Sequence, residues 1–182
     1  MSVCTECGGA ATKTTILPMY ETDLGGLRVK LVNAVIREVC DACGDATIEI
    51  PDLGGLACVA AMARSLVPLR LNGEEIRFIR KALDMNGREF AQAMELTPET
   101  VSRWENGAPG IGGYTEKLLR HNVCALLHSK TPAIVYDPVD ITRMRIMNTP
   151  EGFVLPPLEF RRVLVKDKRD TEETWDQLPL AA

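Results

Sequence analysis

Four of the six cysteines form two C-x-x-C pairs, Cys4/Cys7 and Cys40/Cys43, each followed by glycine. A two-residue gap lets both thiolates of a pair aim into one tetrahedral site, and glycine permits the tight turn around it. Two such pairs supply four sulfurs, the donor set of a closed structural Zn²⁺ site with one ion per chain. An iron–sulfur cluster uses the same ligands. A redox dithiol fits less well, because neither pair sits in a thioredoxin-like βαβ pattern. The 32 residues between the pairs exceed the usual zinc-ribbon spacing of about 15 to 20. The excess reads as a long β-hairpin grown out from the metal. Cys58 and Cys124 lie alone in apolar runs and read as small core residues. His121 and His128 are remote from the pairs and read as helix-surface residues.

A second chemistry lies in residues 86–107, NGREFAQAMELTPETVSRWENG. Two short capped helices joined around Glu95-Leu96 have the layout of a DNA-reading helix-turn-helix. On the second helix Glu99, Ser102, Arg103 and Asn106 share an outer face, while Val101 and Trp104 turn inward. That polar face can reach base edges. The candidate DNA contacts are Asn86, Gly87 and Arg88 on the first helix, and Thr97, Glu99, Thr100, Ser102, Arg103 and Asn106 on the second. Trp104 reads as core rather than as a base-stacking platform.

Elements must hold these residues in place. Thr12 to Leu17 and Leu27 to Val39 lean towards β structure, with a turn at Gly25-Gly26. Asp52 is a plausible N-cap for a short helix ending before Pro68, although Gly54-Gly55 leaves a linker turn open. Asn72 with Glu75, and Asn86 with Glu89, read as capping boxes. Thr97-Pro98 opens a third helix that stops at Asn106-Gly107, and a fourth runs from Tyr114 to about His128. Prolines then punctuate two expected strands, Arg143 to Met147 and Glu159 to Lys166, joined by a turn at Asn148 to Gly152. From Asp167 the chain is charged and expected to fray.

The fold class expected is α+β. Residues 1–50 form a small zinc-bound β domain, 51–71 a linker or short helix, 72–130 an all-α helix-turn-helix domain, and 131–182 an extension with short strands. That extension is expected to pack on a partner copy or on the helices. The chain has 182 residues and a formal net charge of −4, which excludes a strongly basic nucleic-acid coat. Its longest mostly apolar stretch, Leu53 to Ala63, is too short to span a bilayer. The N-terminus does not look like a signal peptide. A cytoplasmic protein with no membrane partner is expected. No Ser-His-Asp, His-Glu-x-x-His or phosphate-cradling glycine loop is present, so an enzyme is not expected.

Residues 72–128 resemble an Xre-type, lambda-repressor-like domain, through L-N-G-E-E-I-R-x-I-R-K-A-L and T-P-E-T-V-S-R-W-E-N-G. The first 50 residues resemble the YgiT-type zinc finger, and the two in this order are the plan of MqsA-type antitoxins. The resemblance covers about 125 residues and stops near Thr131. It implies zinc on Cys4, Cys7, Cys40 and Cys43, a homodimer built mainly through the helices, and a recognition helix starting at Thr97. By position in the Xre pattern, Asn86, Gly87 and Asn106 would approach phosphates and Arg103 would read a base. Glu99 stands where the best-known pattern has an amide residue. A carboxylate there accepts from cytosine N4 but repels phosphate, so the operator sequence does not carry over.

The expected function is a DNA-binding repressor that is also the antitoxin of a type II toxin–antitoxin pair. Its zinc domain would hold the toxin, and its helices would bind the operator of its own operon. The alternative is a free-standing zinc-containing regulator with no toxin partner, whose extra segment senses something or extends the dimer.

Overall fold

The computed structural model describes Cys4 and residues 6–9, 12–108, 111–166 and 171–179. A long antiparallel hairpin opens it, β1 (Thr12–Asp23) and β2 (Arg28–Cys40), turning on Gly25 and Gly26. Both glycines have positive φ, and Asp23 Oδ1 accepts from both of their N–H groups. A short β3 (Ala46–Glu49) folds back along the far end of β2.

The helices follow. They are α1 (Leu53–Leu66), α2 (Gly73–Ala82), α3 (Gly87–Ala93), α4 (Pro98–Glu105) and α5 (Gly113–Leu127). A single 3₁₀ turn and a short α6 (Pro138–Arg143) come next. Asp52 caps α1 as expected, with its carboxylate on the Gly55 N–H. A Cβ at Gly55 would collide with the Asp52 carboxylate, so the glycine fits the cap rather than breaking the helix. α1 packs on α2 and α5 on one side and on the C-terminal strands on the other. It is the central helix of the core, with Leu56, Val59, Ala60 and Met62 fully buried.

Three expectations for the C-terminal segment are corrected. Arg143 to Met147 is no strand: Asp137-Pro138 caps α6, which takes up Arg143, and Met147 makes only an isolated bridge to Leu69. The expected second strand does form as β4 (Leu158–Lys166), and a further strand, β5 (Thr171–Gln177), lies within the stretch expected to fray. Asp167 to Asp170 and the last three residues lie outside the described residues. Nor does the segment merely rest on the helices. β4 pairs in parallel with β2 through Val29 to Val32, extending the first sheet to the order β1-β2-β4-β5. Because β3 covers only Ile36 to Val39, the nearer part of that β2 edge is left open, and β4 fills it. Leu158, Phe160 and Trp175 then face α1 with no exposure. Burying Trp175 contributes about 4–6 kcal/mol. Its indole N–H donates to the Pro51 and Asp52 carbonyls at the start of α1.

Between α1 and α2 the chain is buried at Val67 and Leu71 and half-buried at Leu69 and Arg70, with no strand partner for much of its backbone, and two arginines supply donors. Arg64 donates to the Leu69 and Arg70 carbonyls, and Arg120 to those of Ser65, Val67 and Leu69. Their charges are met by Glu75 and Glu116 respectively, and Glu116 also accepts from the Leu71 N–H.

Candidate metal centre and nucleic-acid interface

The two C-x-x-C segments fold into the same turn twice. In each, the first cysteine's carbonyl accepts from a glycine four residues on, Gly8 or Gly44, at 2.9 Å. Its own N–H donates to the residue five on, Gly9 or Asp45. Gly8 and Gly44 take φ values of 71° and 77°, a region that penalises a Cβ. One turn precedes β1 and the other ends β2, so the antiparallel hairpin brings them together.

All four ligand sulfurs lie within 4.8 Å of one another. Cys4 Sγ is 3.7 Å from Cys43 Sγ, and Cys7 Sγ is 3.6 Å from Cys40 Sγ. Sulfurs at about 2.3 Å from a tetrahedral zinc ion stand about 3.8 Å apart, so the donor set fits that ion in number, type and spacing. The backbone N–H groups of Cys43 and Ala42 hold the Cys40 thiol down to about 7. At Cys43 the Asp45 N–H favours the thiolate, yet the crowding sulfurs of Cys7 and Cys40 push the thiol up to about 12. Four thiolates this close need a cation among them. The cluster is placed to coordinate a metal ion.

The second site is built by α3 and α4. Both expected capping boxes form: Asn72 and Asn86 each accept from the backbone N–H three residues on, and Glu75 and Glu89 reach back to the caps. Thr97 Oγ1 accepts from the Thr100 N–H, and Pro98 opens α4. The tight link puts Glu95 in the left-handed region, φ 54°, with the Leu96 N–H on the Ala91 carbonyl. Val101 and Trp104 turn into the core beside Ile76, Ile79 and Phe90, as expected.

That packing leaves Thr97, Glu99, Ser102, Arg103 and Asn106 exposed on α4, with Thr100 half-buried. Asn86 and Arg88 are exposed at the start of α3, and Gly87 is half-exposed. Asn86, Gly87, Arg88 and Ser102 line one groove between the two helices, about 430 Å³ in volume. Arg103 has no hydrogen-bond or ion-pair partner for its guanidinium among the described residues. Asn106 is already engaged, donating to the Ser102 carbonyl and accepting from Arg77.

The sequence reading missed what holds α4 in place. Glu105, at its last turn, pairs with Arg80 at 2.6 Å and Arg77 at 3.3 Å, both on α2. Burial alone would raise the Glu105 carboxyl, but the two arginines outweigh it and hold it below its ordinary value. Gly73, the first residue of α2, meets the same end of α4: a Cβ there would lie 2.6 Å from the Trp104 carbonyl oxygen. The spacing of Arg77 and Arg80 on one side of α2 is a signal, but it does not name Glu105 as their partner.

No curated protein and no solved structure matches the chain. A helix-turn-helix family model matches residues 76–111, from within α2 through α3 and α4 to the approach to α5. Those residues carry the helix-turn-helix of a DNA-binding transcription regulator, joined to a sheet whose four cysteines are placed to hold a metal ion.

Proposed function

We propose that the chain is a cytoplasmic, homodimeric, sequence-specific repressor with one structural zinc ion per chain, and that it serves as the antitoxin of a type II toxin–antitoxin pair. The observation that carries the DNA-binding part is the exposed polar face of α4 inside the family-matched segment. Arg103, unpartnered among the described residues, reads a base edge, with Thr97, Glu99, Thr100 and Ser102 beside it. Asn86, Gly87, Arg88 and Asn106 meet phosphates. Two copies read two half-sites. The outer stripe of α5, with Tyr114, Leu118 and Leu126 exposed, supports the dimer contact. The antitoxin role rests on the resemblance to MqsA-type proteins, and the cysteine-bearing sheet would hold the toxin. A free-standing regulator is the second reading, favoured by β4 and β5, which complete that sheet with chain the resemblance does not reach.

The test is footprinting on the DNA upstream of the chain's own gene, with co-expression of the product of the adjacent gene. A protected palindrome and rescue of growth from a toxic neighbour are expected. Protection without rescue leaves the free-standing regulator, and no protection removes both.

A further inference from the structure

Between the β1–β2 turn, the stretch joining α1 to α2 and the segment before β4 lies a cleft of about 210 Å³. One wall is apolar, with Leu27, Leu69, Phe153 and Val154. Arg28, Arg64 and Arg70 also line it, with a single carboxylate, Glu75, and the neutral Asn72 and Thr149. Arg64 is spent on Glu75 and on the buried carbonyls. The other two are only partly engaged. Arg28 makes one hydrogen bond among the described residues, from Nη2 to the Leu155 carbonyl at 2.9 Å. Arg70 uses Nε on Asn148 and Nη1 on the Ile111 carbonyl. Glu116 Oε2, which accepts no hydrogen bond among the described residues, stands 3.9 Å from that Nη1, while Arg120 holds the other oxygen, so Nη2 is the donor Arg70 keeps to spare.

We infer that this cleft binds a small organic carboxylate with an apolar tail, the carboxylate meeting Arg28 and Arg70 and the tail lying on Phe153 and Leu69. Guanidinium forks match carboxylate geometry and stay charged at every physiological pH. The volume is below the roughly 300–1,000 Å³ of drug-sized sites, which limits the ligand to a small molecule. The Met147 bridge to Leu69 and the Arg70 bond to Asn148 tie the chain that leads to Phe153 to the stretch joining α1 to α2.

The test is calorimetric titration of the zinc-loaded full chain with 3-phenylpropionate, with 3-phenylpropanamide and inorganic phosphate as comparisons. Saturable binding with a millimolar or tighter constant is expected for the carboxylate. Arg28→Gln and Phe153→Ser should each weaken it about tenfold. Both side chains are exposed, so circular dichroism and zinc content should stay as in the parent. Absence of saturable heat overturns the inference, as does full binding in either variant. Equal binding of the amide or of phosphate also overturns it, because the site would then use only one of its two walls. No DNA is present, so failure here leaves the DNA-binding reading untouched.

Discussion

Glu105→Ala should loosen α4 from α2, the helix that supports it. The carboxylate is 10% exposed and meets two guanidiniums. Arg80 is 15% exposed and bonds both carboxylate oxygens, whereas Arg77 is 41% exposed. Deleting one partner of a fully buried pair costs about 3–5 kcal/mol, and an exposed pair contributes about 0–1 kcal/mol. The Arg80 half lies between these limits and the Arg77 half near the lower one, so the whole should cost about 2–3 kcal/mol. Urea unfolding of the zinc-loaded chain at neutral pH measures it. The sign with pH follows from the depressed carboxyl of the folded chain. Its stabilisation is full above the unfolded-state value, 4.5, and is lost as pH falls through the lower folded value. Glu105→Gln should therefore flatten the acid limb of the stability curve. A cost under about 0.5 kcal/mol for the alanine variant, the range of ordinary surface substitutions, would refute the reasoning.

Chelation of the metal should melt the outer end of the hairpin, residues 12–17 and 35–40, while residues 28–32 stay protected by β4; amide exchange that frees the whole sheet at once contradicts this. Gly73→Ala should force α2 away from the Trp104 carbonyl and cost about 1–3 kcal/mol by denaturant unfolding, with an unchanged midpoint as the contrary result. Trp175→Ala should cost about 3–5 kcal/mol and expose β4 to exchange, and a loss of under about 1 kcal/mol would mean the strand is not anchored there.

Local signals in the sequence were read well, because their physics is local. The two capping boxes, Thr97-Pro98 and the paired cysteine turns each need only a few neighbouring residues, and all formed as expected. Asp137-Pro138 carries the same helix-start signature, with Asp137 on the Val139 N–H. The strand expected at Arg143 to Met147 overlaps, at Arg143, the helix this signature opens. β5 was hidden because Thr171 to Gln177 is polar at every position but Trp175, and it is held as a strand by β4 and that buried tryptophan. The parallel pairing of β2 with β4 joins residues about 129 apart, a distance no periodicity reports. Arg64 and Arg120 gave no warning either. Their burial follows from orphan carbonyls in a connection whose path only the fold defines. On the exposed face of α4 the residue types and spacing were legible, but the Glu105 clamp that holds the helix was not.

The most direct test is selection of binding sites from random duplex DNA by the zinc-loaded parent and by Arg103→Ala, at one fixed salt concentration. The parent should enrich a two-fold symmetric sequence, its half-sites centred about 10 bp or a multiple of that apart. Arg103→Ala should lose preference at one base pair per half-site, worth about 1–3 kcal/mol, while its fold and zinc content are unchanged. No enriched sequence from the parent, or the same sequence from both proteins, would contradict the assignment of α4 as the reading helix.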